Sequence, residues 1–302
     1  MAKLSSHSVT AEVIRFMSPQ SERTNLYVTG LMELKLSSEQ IYIKLHTVFS
    51  EFGLLYEIQV FPSTKHGPQE EEDKDHAEIS SRSYYAFVKF YSSFAAAKAV
   101  ATLNKKYLIH GKLLKVSFAT RKVKDDYPLH YSACCSLAQY YLGFNGWSSH
   151  VVHIHEDKDH GDPTLVRFLC ATKLNIPKHH ITCEGIGLSE NTFPDVNDLR
   201  SRLEAIKKTR RNSFSRAMEN AFQQIALVVL SNGKVAVELC SEKPDEMVFL
   251  VDLLRKQIIE VNNVEGLEEE MTEKQDNSVI PKDGSLLDAM NNEILLDLMM
   301  DI

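Results

Sequence analysis

The chain has 302 residues, 43% of them hydrophobic and 25% charged, which leaves room for roughly two folded domains and excludes a disordered or collagen-like chain. The net charge of -7 is unevenly placed: residues 241–302 hold 16 Asp or Glu against 5 Lys or Arg, and the remainder is mildly basic. No apolar run reaches the ~18 residues of a membrane span and the start lacks a signal peptide's apolar stretch, so neither membrane nor secretion is expected, and five scattered cysteines without C-x-x-C read as reduced thiols.

Residues 1–20 read as a flexible N-terminus. Leu26–Leu31 is a short strand ending near Gly30, and Ile41, Leu45, Val48, Phe49 and Phe52 recur at helical spacing before Gly53. Leu54–Phe61 alternates as a strand that Pro62 is expected to end. Residues 63–83, acidic and polar, read as a long solvated loop. A strand at Tyr84–Tyr91, an alanine-rich helix at Ser93–Leu103 and a strand at Lys112–Ala119 complete the order β-α-β-β-α-β over residues 21–120. That order puts both helices on one face of a four-stranded sheet in a ferredoxin-like α+β sandwich.

Leu26-Tyr27-Val28-Thr29-Gly30-Leu31 is similar to the first-strand signature of the RNA-recognition motif. Tyr85-Ala86-Phe87-Val88-Lys89-Phe90 matches the last six positions of its third-strand signature. Alternation points Leu26, Val28, Ala86, Val88 and Phe90 toward the helices and Tyr27, Tyr85, Phe87 and Lys89 toward the open side. Three exposed rings form a stacking platform for unpaired bases, with Lys89 and Lys115 as basic neighbours. The same rings also suit plain β-propensity or contact with another domain. Where the family has a basic residue and a glycine, this chain has Ser83 and Tyr84, which favours weak or sequence-tolerant binding.

After a linker at 121–130, a second domain is expected over 131–262. It starts with a helix at Tyr131–Leu142 that ends in Phe144-Asn145-Gly146-Trp147. Strands follow at about His150–His155 and Leu165–Ile176, then Gly185-Ile186-Gly187, whose paired glycines imply close backbone packing. A long helix over about Asp198–Ala226 precedes a hairpin turning at Asn232-Gly233. Helix, F-N-G-W, meander, G-x-G, long helix and hairpin in that order resemble the DNA-binding core of the Rad-fifty-two recombination mediator. With the preceding motif, the layout resembles the Rad-fifty-two-motif-containing family.

That resemblance implies single-stranded DNA and RNA as partners, a homodimer or higher homo-oligomer, and a role in recombinational repair and the response to DNA damage, including crosslinking drugs. It further implies residence in the nucleus, with the nucleolus, and in the cytoplasm. The mediator's paired basic residues fall here on Glu219 and Asn220, and a basic residue of its preceding helix on Ala133. Against this, Leu199–Arg216 carries seven basic residues and only Glu204 as an acid. Lys207, Lys208, Arg210 and Arg211 are therefore candidates for phosphate contact with strong salt dependence; the same run reads as a nuclear-import signal or a solvated face.

His153 and His155 share a strand face without two further ligands at a zinc spacing, so no metal is expected. No P-loop, G-x-S-x-G, H-E-x-x-H or compact carboxylate set is present, so neither a catalytic residue nor a cofactor is assigned and an enzyme is not expected. Met247–Val261 reads as a helix that packs on the second domain. Residues 263–302 read as an acidic disordered tail ending in a short amphipathic helix at 285–300. Its Leu287, Met290, Ile294 and Leu298 are spaced for a protein partner's groove; a frayed terminus or docking back onto the body is the alternative. Two alternatives stay open: an RNA-binding protein of RNA metabolism whose second domain only oligomerises, or a protein-interaction scaffold.

Overall fold

Strand alternation and helical spacing over residues 25–119 produce a four-stranded sheet backed by two helices in the computed structural model, which describes residues 10–31, 36–63, 83–109, 111–120, 127–158 and 161–240. The chain enters through a strand, β1 (Ala11–Arg15), and continues through β2 (Asn25–Leu31), α1 (Ser38–Ser50), β3 (Leu55–Ser63), β4 (Ser83–Phe90), α2 (Ser93–Leu103), a small hairpin of β5 (Leu108–Ile109) and β6 (Lys112–Leu113), and β7 (Lys115–Phe118). The sheet order is β3-β4-β2-β7 with antiparallel neighbours, the β-α-β-β-α-β order read from the sequence.

Ser37 starts α1 with a reciprocal capping box to Gln40, satisfying two otherwise orphaned donors. Ile41, Leu45 and Phe49, four residues apart, bury against Leu26, Val28, Ala86, Val88 and Phe90. Pro62 does not end its strand, contrary to the expectation. β3 is an edge strand, where a missing N–H leaves no ladder bond unmade, and it runs on to Ser63.

The second unit follows the expected sequence of elements: α3 (Tyr131–Leu142), the meander β8 (Ser148–Asp157), β9 (Leu165–Ile176) and β10 (Ile181–Thr192), the long α4 (Leu199–Gln223), and the hairpin β11 (Ile225–Leu230) and β12 (Val235–Leu239). Asp198 caps α4 by accepting from the Arg200 N–H. α4 lies against β9 and β10 on the side where Gly185 and Gly187 stand, and a Cβ at either glycine would collide with the α4 backbone at Ala217. The paired glycines thus let helix and strand approach to backbone contact.

The free edge of β10 is covered by the same helix. Arg216 Nη1 donates to the Leu188 carbonyl at 2.7 Å, Asn220 Nδ2 to Ile186 at 2.7 Å, and Gln224 Nε2 to Glu184 at 2.5 Å. Four helical residues rise about 6.0 Å and two strand residues about 6.6 Å, so side chains every fourth position match carbonyls every second one. An edge that would otherwise invite another chain's strand is closed.

Residues 1–20, expected to be flexible, need correction where they are described. β1 pairs antiparallel with β11 from Ala11↔Leu230 to Arg15↔Ala226, making a sheet of order β1-β11-β12. Phe16 stacks on Phe222 with centroids 4.8 Å apart. Ser18 and Tyr127 exchange hydrogen bonds and the Leu129 N–H donates to the Phe16 carbonyl, so the end of the 121–130 linker is held too. The Met247–Val261 helix, the 63–83 loop beyond Ser63 and short of Ser83, and the 263–302 tail lie outside the described residues.

The two units share a core. Tyr91, at the end of β4, is buried in the cluster of α3, α4 and β9, with Leu54 and Tyr56 packed against it. Across this seam Glu12 of β1 caps α2: its carboxylate accepts from the Ser92 hydroxyl at 2.6 Å and from the Ser93 N–H. A carboxylate at a helix N-terminus satisfies orphan donors and the dipole together. Glu12→Ala is expected to cost about 0.5–2 kcal/mol in urea unfolding, with Glu12→Gln losing less; an unchanged midpoint for the alanine variant would refute the cap's contribution.

Candidate nucleic-acid interface

The pleat of β2, β3 and β4 sends alternate side chains away from the helices, and the antiparallel register lines them up: Tyr27 opposite Phe87, and Phe61 opposite Tyr85. The result is a cluster of four rings. Centroid distances are 5.4 Å for Tyr27–Phe87, 5.9 Å for Tyr27–Tyr85 and 5.4 Å for Phe61–Tyr85. Tyr27 and Phe61 are each 36% exposed, while Tyr85 and Phe87 are half-buried by their neighbours. The Phe61 and Tyr85 planes lie within 22° of one another, so one face of Tyr85 is covered, and Tyr27 and Phe61 present the most open ring surface.

Phe61 joins the platform without having been expected there. The signal was available, because period 2 from Glu57 through Gln59 places Phe61 on the open face. All three residues are exposed, and Gln59 Nε2 donates to the Glu57 carboxylate at 2.6 Å. Lys115 is also exposed on that face, opposite Thr29.

Lys89 is a correction. It points to the open side by alternation but is only 7% exposed, with Nζ 5.0 Å from the centre of the Tyr56 ring. It stands where the second unit closes over the end of β4, beside Tyr56 and Tyr91. Burial lowers its pKa from the ordinary lysine value, against an opposing pull from the Glu57 charge. Its ammonium is spent on the seam between the units and is not offered to a phosphate.

On α4, Lys207, Lys208 and Arg211 are exposed, and their spacing of three and four keeps them on one face. Arg200 lies along the same row, paired to Glu204 at 3.4 Å. Arg210 is the second correction: it is 7% exposed, on the helix face turned toward the sheet with Thr209 and Ser213. Desolvation lowers its pKa, and Cys170 of β9 is near enough to oppose that. Basic residues crowded into little more than one turn cannot all face water on a helix that packs on a sheet.

Glu219 and Asn220 have structural work that explains why basic residues do not stand there. Asn220 covers the β10 edge. Glu219 accepts from the Tyr131 N–H at 2.9 Å, giving α3 the cap that His130 does not supply. Burial raises the Glu219 carboxyl above the usual carboxylate range despite that bond. A raised acid stabilises the fold below its unfolded pKa, and that contribution is lost as pH rises through the folded pKa. Glu219→Gln keeps an acceptor without the buried charge. Its melting temperature is therefore expected to gain on the native chain as pH rises above the ordinary glutamate pKa of about 4.3; a constant difference would refute the assignment.

In Phe144-Asn145-Gly146-Trp147, Trp147 packs edge-on to Phe222 with centroids 5.3 Å apart and Asn145 takes a left-handed φ of 57°. Phe144 projects into solvent, 82% exposed. His153 and His155 stack 6.0 Å apart, but among the described residues no three His, Cys, Asp or Glu come together as a metal would need. None of the five cysteines is paired. No helix of the described residues is long and apolar enough to cross a membrane. Leu287, Met290, Ile294 and Leu298 lie outside the described residues.

Among known proteins, a family model described as the RDM1 DSRM domain matches residues 129–226. "RAD52 motif-containing protein 1" of Gallus gallus is 33% identical over 248 residues, covering 78% of this chain and 83% of the relative. The Homo sapiens protein of that name is 32% identical over 248 residues, covering 76% and 81%, and that of Danio rerio 29% over 269 residues, covering 85% and 90%. Among solved structures, Pes4 RRM3 aligns over 34% of this chain and 98% of its own at 20% identity with a TM-score of 0.23. The Rna15 RRM with bound RNA aligns over 34% and 88% at 20% identity with a TM-score of 0.24.

Proposed function

The chain belongs to the RAD52 motif-containing protein 1 family, and from that premise we propose that it is a non-enzymatic binder of single-stranded DNA and RNA acting in recombinational repair and the response to DNA damage. The observation that carries this reading is the ring cluster of Tyr27, Phe61, Tyr85 and Phe87 on a sheet face turned away from the helices. Unpaired bases stack on such rings at about 1–3 kcal/mol each regardless of sequence. The exposed Lys207, Lys208 and Arg211 supply backbone contact, and two modest sites joined in one body reach useful avidity. Self-association and residence in the nucleus, nucleolus and cytoplasm belong to the same proposal.

A second reading has only the sheet meeting RNA while the second unit serves assembly. It is favoured by the internal hydrogen bonds of Glu219 and Asn220, which occupy the mediator's basic positions. Titration of the full chain with single-stranded DNA, RNA and duplex across salt separates the two. In the first, charge reversal at Lys207, Lys208 and Arg211 flattens the salt dependence by about 0.7 in slope for each phosphate no longer neutralised. An unchanged slope with RNA preferred over DNA establishes the second. Absence of oligonucleotide binding in the native chain refutes both.

A further inference from the structure

The back of the first unit, opposite the rings, carries a groove of about 300 Å³ between α1 and the chain entering β5. Ile43, Thr47 and Val48 form one wall and Tyr107 and Leu108 the other, with Lys44 among them. Large apolar groups are left in water here: Ile43 is 62% exposed and Leu108 56%, with Tyr42, Tyr107 and Leu113 also exposed. Leu113 stands opposite Leu108 in the small hairpin, so the patch continues past the groove. Contiguous exposed apolar surface of this kind marks a place where something binds.

We propose that the groove receives the C-terminal segment of this same chain, residues 285–302, through Leu287, Met290, Ile294 and Leu298. Three arguments select this occupant. The first is charge: the segment carries Asp288, Glu293, Asp297 and Asp301 and no Lys or Arg, while Lys44 lines the groove, Lys105 and Lys106 directly precede its Tyr107 wall, with Lys106 Nζ donating to the Ala101 carbonyl, and Lys112 stands opposite Ile109 in the hairpin. Glu39 and Glu51 are the acids of α1 and its C-terminal cap and stand one turn beyond Ile43 and Thr47. The other amphipathic stretch, 247–261, contains Arg255 and Lys256 and lacks this complementarity.

Reach is the second argument. Residues 241–284 separate the last described strand from the segment, and the residues between Val261 and Ser285 alone can span up to about 75 Å when extended. Tethering holds the segment near the groove at roughly millimolar effective concentration, so weak contacts suffice. The third is need: a helix of this length is marginal in water and forms only when its apolar side is covered. Because the groove is on the helix side of the sheet, a docked segment leaves the ring face open.

The test places the photocrosslinking amino acid benzoylphenylalanine at exposed Leu108 of the full chain and identifies crosslinked peptides by mass spectrometry after digestion. A monomeric product joining position 108 to residues 285–302, with a yield independent of protein concentration, is the expected result. Ile294→Asp with Leu298→Asp, and separately Ile43→Asp, each reduce that yield by about tenfold. Ile43 is exposed, so its variant leaves the fold intact, checked by an unchanged melting curve. A product that forms only between chains and grows with concentration would overturn the proposal in favour of a second copy. So would crosslinks that miss residues 285–302 or survive all three substitutions.

Discussion

Gly187→Ala is expected to lower the melting temperature by about 10 °C and to expose the second unit to proteolysis. The added methyl would meet the Ala217 N–H and the Ser213 carbonyl of α4, and neither is the end of a flexible side chain that can swing away. Helix and strand must separate, which loosens Arg216, Asn220 and Gln224 from the β10 edge and thins the core at Ala217 and Ala221. Overpacking of a rigid interface costs about 3 kcal/mol or more, worth about 2–4 °C per kcal/mol in a chain of this size. Gly185→Ala meets the same helix, with the Ala221 nitrogen 2.8 Å from the new carbon. The double variant is expected to leave no cooperative transition for α4. A Gly187→Ala protein melting within about 2 °C of native would show that α4 rides higher on the sheet than described.

Removing the two most open rings should affect binding most. Tyr27→Ala with Phe61→Ala takes away stacking surface worth about 1–3 kcal/mol per base, so affinity for a short single strand should fall by roughly a hundredfold. Tyr85→Ala alone should do less, because Phe61 already covers one of its faces. Lys89→Ala serves as the contrast: it is expected to destabilise the seam through Tyr56 and Tyr91 while leaving the salt dependence of binding unchanged. Melting curves on the same proteins distinguish loss of a binding surface from loss of fold. A double ring variant that melts normally and binds like the native chain would remove the platform from the mechanism.

Most elements were legible because their signals are local. Ser93–Leu103, Tyr131–Leu142 and Leu165–Ile176 have the boundaries read from periodicity and stop signals alone, and the packing role of Gly185 and Gly187 followed from their spacing. What failed depended on distant chain. Five residues of β1 carry too little pattern to declare a strand whose partner stands near residue 230. Alternation gave the direction of Lys89 correctly, but only the second unit determines that this direction leads into a seam. Arg210 was miscounted because a charge census ignores helix rotation, and some basic residue of so dense a run had to turn toward the sheet. Phe61 lay inside the strand read as Leu54–Phe61 and was missed because that strand's alternation was not carried onto the open face; only the end at Pro62 was wrong, a rule that holds for central strands and relaxes at an edge.

The closure of β11 by β1 has a consequence for how the protein is made. Thr10 and Ser231 are 221 positions apart yet hydrogen-bonded, so a strand near the start of the chain waits on the ribosome for its partner far downstream. At ordinary translation speeds that delay is on the order of 10–40 s. During it the ring-bearing sheet can assemble behind its own helices, while Ile14 and Phe16 remain without their cover. Nascent chains arrested before residue 225 should therefore engage holding chaperones through their N-terminal end, and release should coincide with synthesis of the β11–β12 hairpin.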